Sequence, residues 1–234
     1  MKVSLLPGWG LGLAPLQPLA DYLSNKHEVQ LLPLPECTTA EQALDELDAQ
    51  IPADSWLIGW SLGGMLATAL AHRRGNSCPG LVTLASNACF VARNDWPHAM
   101  PQREFNNFSR RAARDWSGTL KGFQQLCLHG GQIEAVPAEL SATASTDTES
   151  RLASLSWLAQ LDNRTAIAEL QCRQLHVLAE ADALVLVGVT HDLQLLNPQA
   201  QVCSWPGSHA FVLTDHRELA AAVHAFMTGG AVNG

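Results

Sequence analysis

"LIGWSLGGMLA", Leu57 to Ala67, sets one serine among glycines between two apolar runs. The run before it, Trp56 to Trp60, has the length and composition of a buried strand, and Leu62 to Arg73 has those of a helix. A serine pushed out of a strand end into a tight turn needs unstrained neighbours. That accounts for Gly59 and Gly63, two residues before and two after Ser61. The hydroxyl then projects above a sheet, near the positive N-terminal end of the following helix. A glycine-rich connection with an incidental hydroxyl is the alternative. The placement between strand and helix favours a nucleophile.

Outward from this turn, Val3–Leu6, Val29–Leu34, Leu81–Ala85, Leu175–Ala179 and Gln201–Trp205 also read as strands. Several lack the polar alternation of a half-exposed strand, which points to parallel strands covered on both faces. Thr39–Gln50 and His216–Met227 supply further helices, so the expected fold is α/β with a mostly parallel, doubly wound sheet. Regularity breaks from about Ser86 to Arg164, where Trp, Phe, Arg and Gly mix with a polar stretch at 141–150. So long an interruption reads as a helical insertion. The expected organisation is a core of 1–86 and 165–234 with a cap at 87–164.

With 234 residues, 47% hydrophobic and 15% charged, the chain is globular rather than disordered. Six scattered cysteines, without a CxxC pair or zinc spacing, read as reduced thiols and a cytoplasmic location. No metal site or cofactor is expected. Pro7, Gly8, Gly10, Gly12 and Pro15 interrupt what would otherwise resemble a secretory signal, and no run approaches a membrane span. The net charge of −8 argues against nucleic acid as partner. Residues 91–130 nevertheless hold six basic side chains against three acidic ones, so a segment of +3 sits on a remainder of −11.

A serine nucleophile needs a base, and the base needs a carboxylate to orient it. Of nine histidines, His209 lies in a Gly/Ser loop directly after the last strand, in "CSWPGSHAFVL". "LHVLAEADALV" ends the preceding strand with Glu180 and Asp182; Asp182 lies further into the loop, and Glu180 is the alternative acid. The order Ser61, Asp182, His209 follows the pattern of a nucleophile on a strand-to-helix turn. Two backbone donors should meet the negative oxygen of a tetrahedral intermediate. One is the N–H of Leu62, and the other, from "LLPGWGLG", is that of Trp9. A plain turn or a phosphate loop are the other readings of Pro7–Gly12; phosphate is disfavoured because no Walker or Gly-x-Gly-x-x-Gly pattern follows.

These motifs, with "GWSLGGMLATALAHRR", "LVTLASNACFVARNDWPHAM", "HVLAEADALV" and "WPGSHAFVL", resemble the biotin-pathway carboxylesterases, pimeloyl-[acyl-carrier protein] methyl ester esterases of the α/β-hydrolase fold. The resemblance spans most of the chain. It implies Ser61, Asp182 and His209 as catalytic residues, Trp9 and Leu62 as oxyanion donors, and Trp60 and Phe123 as lining of an acyl channel. It further implies hydrolysis of a carrier-bound methyl ester to methanol and a free carboxylate. Three features depart from the pattern. The chain opens almost at the oxyanion strand, so the sheet is expected to be shortened at its N-terminus. Pro7-Gly8 stands where His-Gly is usual, and Gly118 and Gly122 stand where carrier-binding arginines are expected.

Read as one helix at 100° per residue, the cap places Arg103, Arg110, Arg114 and Lys121 within about 20° of one direction; a helix break at Gly118 is the alternative and would spoil the phase beyond it. Phe105, Phe108, Ala112, Trp116, Leu120 and Phe123 fall opposite. Such a basic face suits an acidic carrier protein, and equally a solvated outer surface. A broad short-chain carboxylesterase acting on free esters is the second reading, and a non-catalytic hydrolase-like binding protein the third.

Overall fold

Seven elements open the chain: β1 (Lys2–Leu6), α1 (Gln17–Ser24), β2 (Glu28–Leu31), α2 (Ala40–Gln50), β3 (Ser55–Trp60), α3 (Leu62–Arg74) and β4 (Gly80–Leu84). Five helices follow, α4 (Gln102–Arg114), α5 (Trp116–Leu128), α6 (Ala138–Ser141), α7 (Thr148–Gln160) and α8 (Arg164–Glu169). The chain ends through β5 (Arg173–Ala179), α9 (Val189–Leu196), β6 (Gln201–Trp205), α10 (Phe211–Thr214) and α11 (His216–Met227). This computed structural model describes residues 1–141, 147–230 and 232; part of the polar stretch at 141–150 therefore lies outside the described residues.

Among the described residues all five strand pairings are parallel, in the order β2-β1-β3-β4-β5-β6. Every residue of β3 and β4 is buried, which is why these stretches read as unbroken apolar runs; only the edge strands β2 and β6 carry half-exposed positions along their length. The chain steps from β1 outward to β2, returns to the other side of β1 at β3, and then proceeds one way to β6. The direction reverses between β1 and β3. At such a point the loops leaving the carboxyl ends of two adjacent strands part, and a crevice opens. The loops that carry Trp9 and Ser61 leave from these two strands.

α1 and α11 pack together, while α2, α3, α8 and α9 form a second row. α3 is buried nearly all round in its first half and turns basic at its end, where Arg73 pairs with Glu41 and Asp45, and Arg74 with Asp48. A cationic last turn is also favourable for the helix dipole. α2 starts at a capping box in which Thr39 accepts from the Gln42 N–H and the Gln42 side chain accepts from the Thr39 N–H.

The basic face read on one continuous helix needs correction. Asp115, at φ −142° and ψ 85°, ends α4 and starts α5, where its carboxylate accepts from the Gly118 N–H at 2.9 Å. A Cβ at position 118 would lie 2.2 Å from that carboxylate, so the glycine belongs to the start of the helix. Arg103, Arg110 and Arg114 share α4, whereas Lys121 stands on α5 and its phase relative to them is lost. Phe105, Ala112, Leu120 and Phe123 are buried as expected, and Phe108 and Trp116 partly so.

Candidate active site

Ser61 occupies the link between β3 and α3 with φ 55° and ψ −121°, a strained conformation for a residue with a side chain. Its N–H donates to the Leu84 carbonyl at 2.9 Å, tying the turn to the end of β4. The flanking glycines are required by proximity, not by a positive φ. A Cβ on Gly59 would lie 2.2 Å from the Gly63 carbonyl oxygen, and one on Gly63 only 2.3 Å from that of Leu6. The Ser61 turn and the β1 loop therefore touch backbone to backbone. A Cβ on Gly8 would meet the Trp60 ring at 3.1 Å and Ser61 Cβ at 3.3 Å, which brings the peptide preceding Trp9 beside Ser61. Leu62 is the first residue of α3, so its N–H has no partner within the helix.

His209 and Asp182 meet as an isolated pair with fully buried side chains. Nδ1 of His209 lies 2.7 Å from Oδ2 of Asp182, and Oδ1 accepts from the N–H groups of Leu184 at 2.7 Å and Val185 at 2.9 Å. These bonds fix the carboxylate and, through it, the ring. The opposite nitrogen, Nε2, is buried and has no hydrogen-bond partner among the described residues. Glu180 does not join this arrangement: its side chain is exposed, and its N–H continues the ladder to the Trp205 carbonyl.

Trp60 does not line the cavity described below. Its ring is fully buried and its Nε1–H donates to the His209 carbonyl at 3.0 Å, linking the residue before Ser61 to the His209 loop. The reason is position: Trp60 is the last residue of β3, a strand buried throughout, so its indole needs an internal acceptor. Trp9 has the role of a wall. Its ring stands edge-on to Phe108, Trp116 and Phe123 at 5.0–5.5 Å, and its Nε1–H donates to the Arg151 carbonyl at 3.3 Å.

Trp9 borders two cavities; one, of about 270 Å³, is also lined by Phe90, Phe105, Phe108, Phe123, Leu158 and Leu184, with Arg111 and Asn107 on its wall. The second is a cavity of about 670 Å³ with Glu36, Glu46, Gln50 and Arg151 in its lining. The smaller is the better candidate for an acyl group, because its lining includes Ala183 and Leu184, directly after Asp182.

Sequence reasoning missed the end of α5. The Cys127 carbonyl accepts from the Ala210 N–H at 3.0 Å, a Cβ on Gly130 would meet the Ala181 carbonyl oxygen at 2.6 Å, and one on Gly131 would meet Ser208 Oγ at 2.6 Å. The segment from Cys127 to Gly131 thus packs on the loops that carry both Asp182 and His209. The pair Gly130-Gly131 was its only signal in the sequence. Burial, with Asp182 nearby, pushes the Cys127 thiol well above the usual range, so it is an inert packing group. Among the described residues no group of three or more His, Cys, Asp or Glu could hold a metal ion.

The alpha/beta hydrolase family model matches residues 5–222. The chain belongs to this family. As an alpha/beta hydrolase it is similar to the "Biotin biosynthesis bifunctional protein BioHC" of Cellvibrio japonicus (strain Ueda107), 36% identical over 95% of this chain and 46% of that protein. A second protein of that name, from Teredinibacter turnerae (strain ATCC 39867 / T7901), is 34% identical, with 44% of it covered. The chain thus spans about half the length of these two relatives. It is also similar to the "Pimeloyl-[acyl-carrier protein] methyl ester esterase" of Xylella fastidiosa (strain 9a5c), 29% identical over 95% of this chain and 93% of that one. Among solved structures, the hydrolase olei00960 of Oleispira antarctica superposes with a TM-score of 0.84 at 14% identity, covering 98% of this chain and 92% of that one. This likeness carries the fold. No helix among the described residues is long and apolar enough to cross a membrane.

Proposed function

We propose that this alpha/beta hydrolase is a serine carboxylesterase acting on the methyl ester of pimeloyl-[acyl-carrier protein], releasing methanol and the free ω-carboxylate in biotin biosynthesis. The observation that carries the reading is the buried Asp182–His209 pair, whose Nε2 has no hydrogen-bond partner among the described residues, on a loop tied through Trp60 to a serine on a strained strand-to-helix turn. Ser61 Oγ attacks the ester carbonyl and His209 Nε2 takes its proton. Asp182 holds the ring and offsets the charge that the imidazolium acquires. The N–H groups of Leu62 and Trp9 receive the negative oxygen. His209 then protonates the departing methoxide, and a water molecule, deprotonated by the same ring, releases the acyl group from Ser61. No cofactor is needed.

The substrate assignment rests on the relatives' names, and three features of this chain support it. The aromatic cavity beside Asp182 is slightly smaller than the roughly 300 Å³ at which drug-sized sites begin, a size for an acyl chain rather than for a whole carrier. Residues 87–164 act in this reading as a cap over the site, with Phe123 and Trp9 on the acyl wall. Arg103, Arg110, Arg114 and Lys121 are exposed and form no ion pair among the described residues, which leaves their charge available to an acidic carrier protein. Small free esters would be turned over by the same machinery, but nucleic acid and membranes are not partners in this reading.

The test is methanol release from the carrier-bound methyl ester by the wild-type chain and by Ser61→Ala. Wild type should prefer this substrate to a short p-nitrophenyl ester in kcat/KM. Ser61→Ala should fold normally and lose about 10⁶ in kcat on both. Near-full turnover by Ser61→Ala would remove the nucleophile assignment, and indifference to the carrier would leave a broad short-chain esterase.

A further inference from the structure

Among the described residues, two that are not glycine have positive φ: Ser61 at 55° and Ala85 at 45°. Such a backbone persists only where its surroundings over-determine it, and it collects at functional sites. The strain at Ser61 belongs to the nucleophile turn. That at Ala85 belongs to none of the groups that attack the ester, move its protons or receive its negative oxygen. Ala85 directly follows β4 and still donates its N–H to the Val177 carbonyl of β5 at 2.8 Å, so it is held in the ladder while its backbone turns left-handed.

The residue that follows this turn is Ser86. It is buried, and its Oγ–H donates to the Ser61 carbonyl at 2.8 Å. Gly64 leaves the room for it: a Cβ there would lie 2.6 Å from both Cβ and Oγ of Ser86. One hydrogen bond thus joins the residue after one strained position to the other strained residue. The Ser61 carbonyl also accepts from the N–H groups of Gly64 at 2.9 Å and Met65 at 3.2 Å, but these come from α3 and move with it. Ser86 is anchored instead to β4.

The Ser61 carbonyl and the Leu62 N–H belong to one planar peptide unit and point in opposite directions. A donor fixed on the carbonyl therefore fixes the direction of the N–H, and by polarising the amide it strengthens that N–H as a donor. We propose that Ser86 is a positioning residue for ester hydrolysis. By holding the Ser61 carbonyl it aims the Leu62 N–H at the oxygen that becomes negative in the tetrahedral intermediate. The inference rests on the reading of Ser61 as nucleophile and Leu62 as oxyanion donor.

The experiment compares Ser86→Ala with wild type on a short p-nitrophenyl ester, with active sites counted by titration with a fluorophosphonate. Loss of an oxyanion donor itself costs about 10²–10³ in kcat; misaiming one should cost about tenfold per titrated site, with KM changed less than about twofold. Affinity for a trifluoromethyl ketone, whose adduct with Ser61 carries the oxyanion, should fall by the same factor. The pH midpoint of kcat/KM should not move, because the Asp182–His209 pair is untouched. Ser86→Cys keeps nearly the same volume with a weaker donor; it should show the same pattern at about threefold, and it serves if the alanine variant does not fold. A merely structural role would lower the melting temperature and the fraction of titratable sites while kcat per site and ketone affinity stayed at wild-type values. That result would overturn the proposal. Ser61→Ala is assayed alongside: if it is inactive, failure of the Ser86 prediction concerns positioning alone, whereas an active Ser61→Ala would overturn the reading beneath it.

Discussion

The sheet with its flanking helices and the helical stretch between β4 and β5 handle charge and backbone in opposite ways. In the core, Arg73 and Arg74 are paired with acids of α2; in the inserted stretch, pairing is found at its edges, where Arg93 and Arg164 share Asp162. On α4 and α5, Arg103, Arg110, Arg114 and Lys121 remain without ion pairs among the described residues. The core also accepts strain and very close backbone contacts at Gly59, Gly63, Ser61 and Ala85, all within reach of one turn. Precision is concentrated where bonds are proposed to break, and uncommitted charge where a partner is proposed to approach.

The sharpest way to break this contrast is at the core's carboxylate. Asp182→Asn leaves the volume unchanged but offers His209 a mismatched partner, and if the proposed reaction holds kcat should fall about 10⁴-fold, the loss seen when the acid of a serine–histidine–aspartate set is so changed. Glu180→Gln, exposed and outside the hydrogen-bond set, should stay within about twofold of wild type. Initial rates on a p-nitrophenyl ester, with melting curves as control, decide it; the reverse ranking would move the acid to Glu180.

A second measurement concerns stability. His176 lies buried between strands, its Nδ1 2.7 Å from Thr83 Oγ1, and burial pushes its pKa down to about 4. The unfolded chain takes up this proton near 6.5, so between these values it binds a proton that the fold does not. Stability from this group is intact above about pH 6.5 and declines as pH falls toward 4. Relative to pH 7.5, the loss at pH 5 is on the order of 2 kcal/mol. His176→Gln should flatten that limb in denaturant titrations at the two pH values. An unchanged slope would assign the acid limb to other groups.

The smallest expected effect tests the inserted helices. Replacing Arg110 and Arg114 together by Ala should lower kcat/KM for the carrier-bound ester about tenfold at low salt, and less as salt rises. The free ester should be unaffected. Equal losses on both would indicate a disturbed α4; no loss on either would make this face a solvated surface.

What could be read from residues alone divides along the same line. Buried parallel strands announce themselves as apolar runs because both faces are covered, and the Ser61 turn announces itself through its glycines. Even there, the physical cause differed from the expectation, since Gly59 and Gly63 are close contacts and not conformational exceptions. Asp182 could be preferred to Glu180 only by its place in the loop; the Leu184 and Val185 N–H groups that hold its Oδ1 are two and three residues along the same loop, but its contact with His209 is tertiary. The inserted stretch was harder. Gly118 was the residue that hinted at a break in the helical phase, but the break falls at Asp115, which acts through its side chain by capping the next helix at the Gly118 N–H. Trp60 was placed on the acyl wall by the resemblance alone; its ring is fully buried and donates to the His209 carbonyl instead of bordering the cavity.

The aromatic cluster at Trp9 has an optical consequence. Its indole lies 5.2 Å from that of Trp116 at an interplanar angle of 71°, close enough for the two excited states to mix. Trp116 starts α5 and Trp9 follows β1, so the coupled pair straddles the join between the inserted helices and the sheet. A near-ultraviolet circular dichroism couplet from these two rings, abolished by Trp116→Phe, would therefore track how the inserted helices sit over the sheet as a carrier-bound substrate arrives, without any added label.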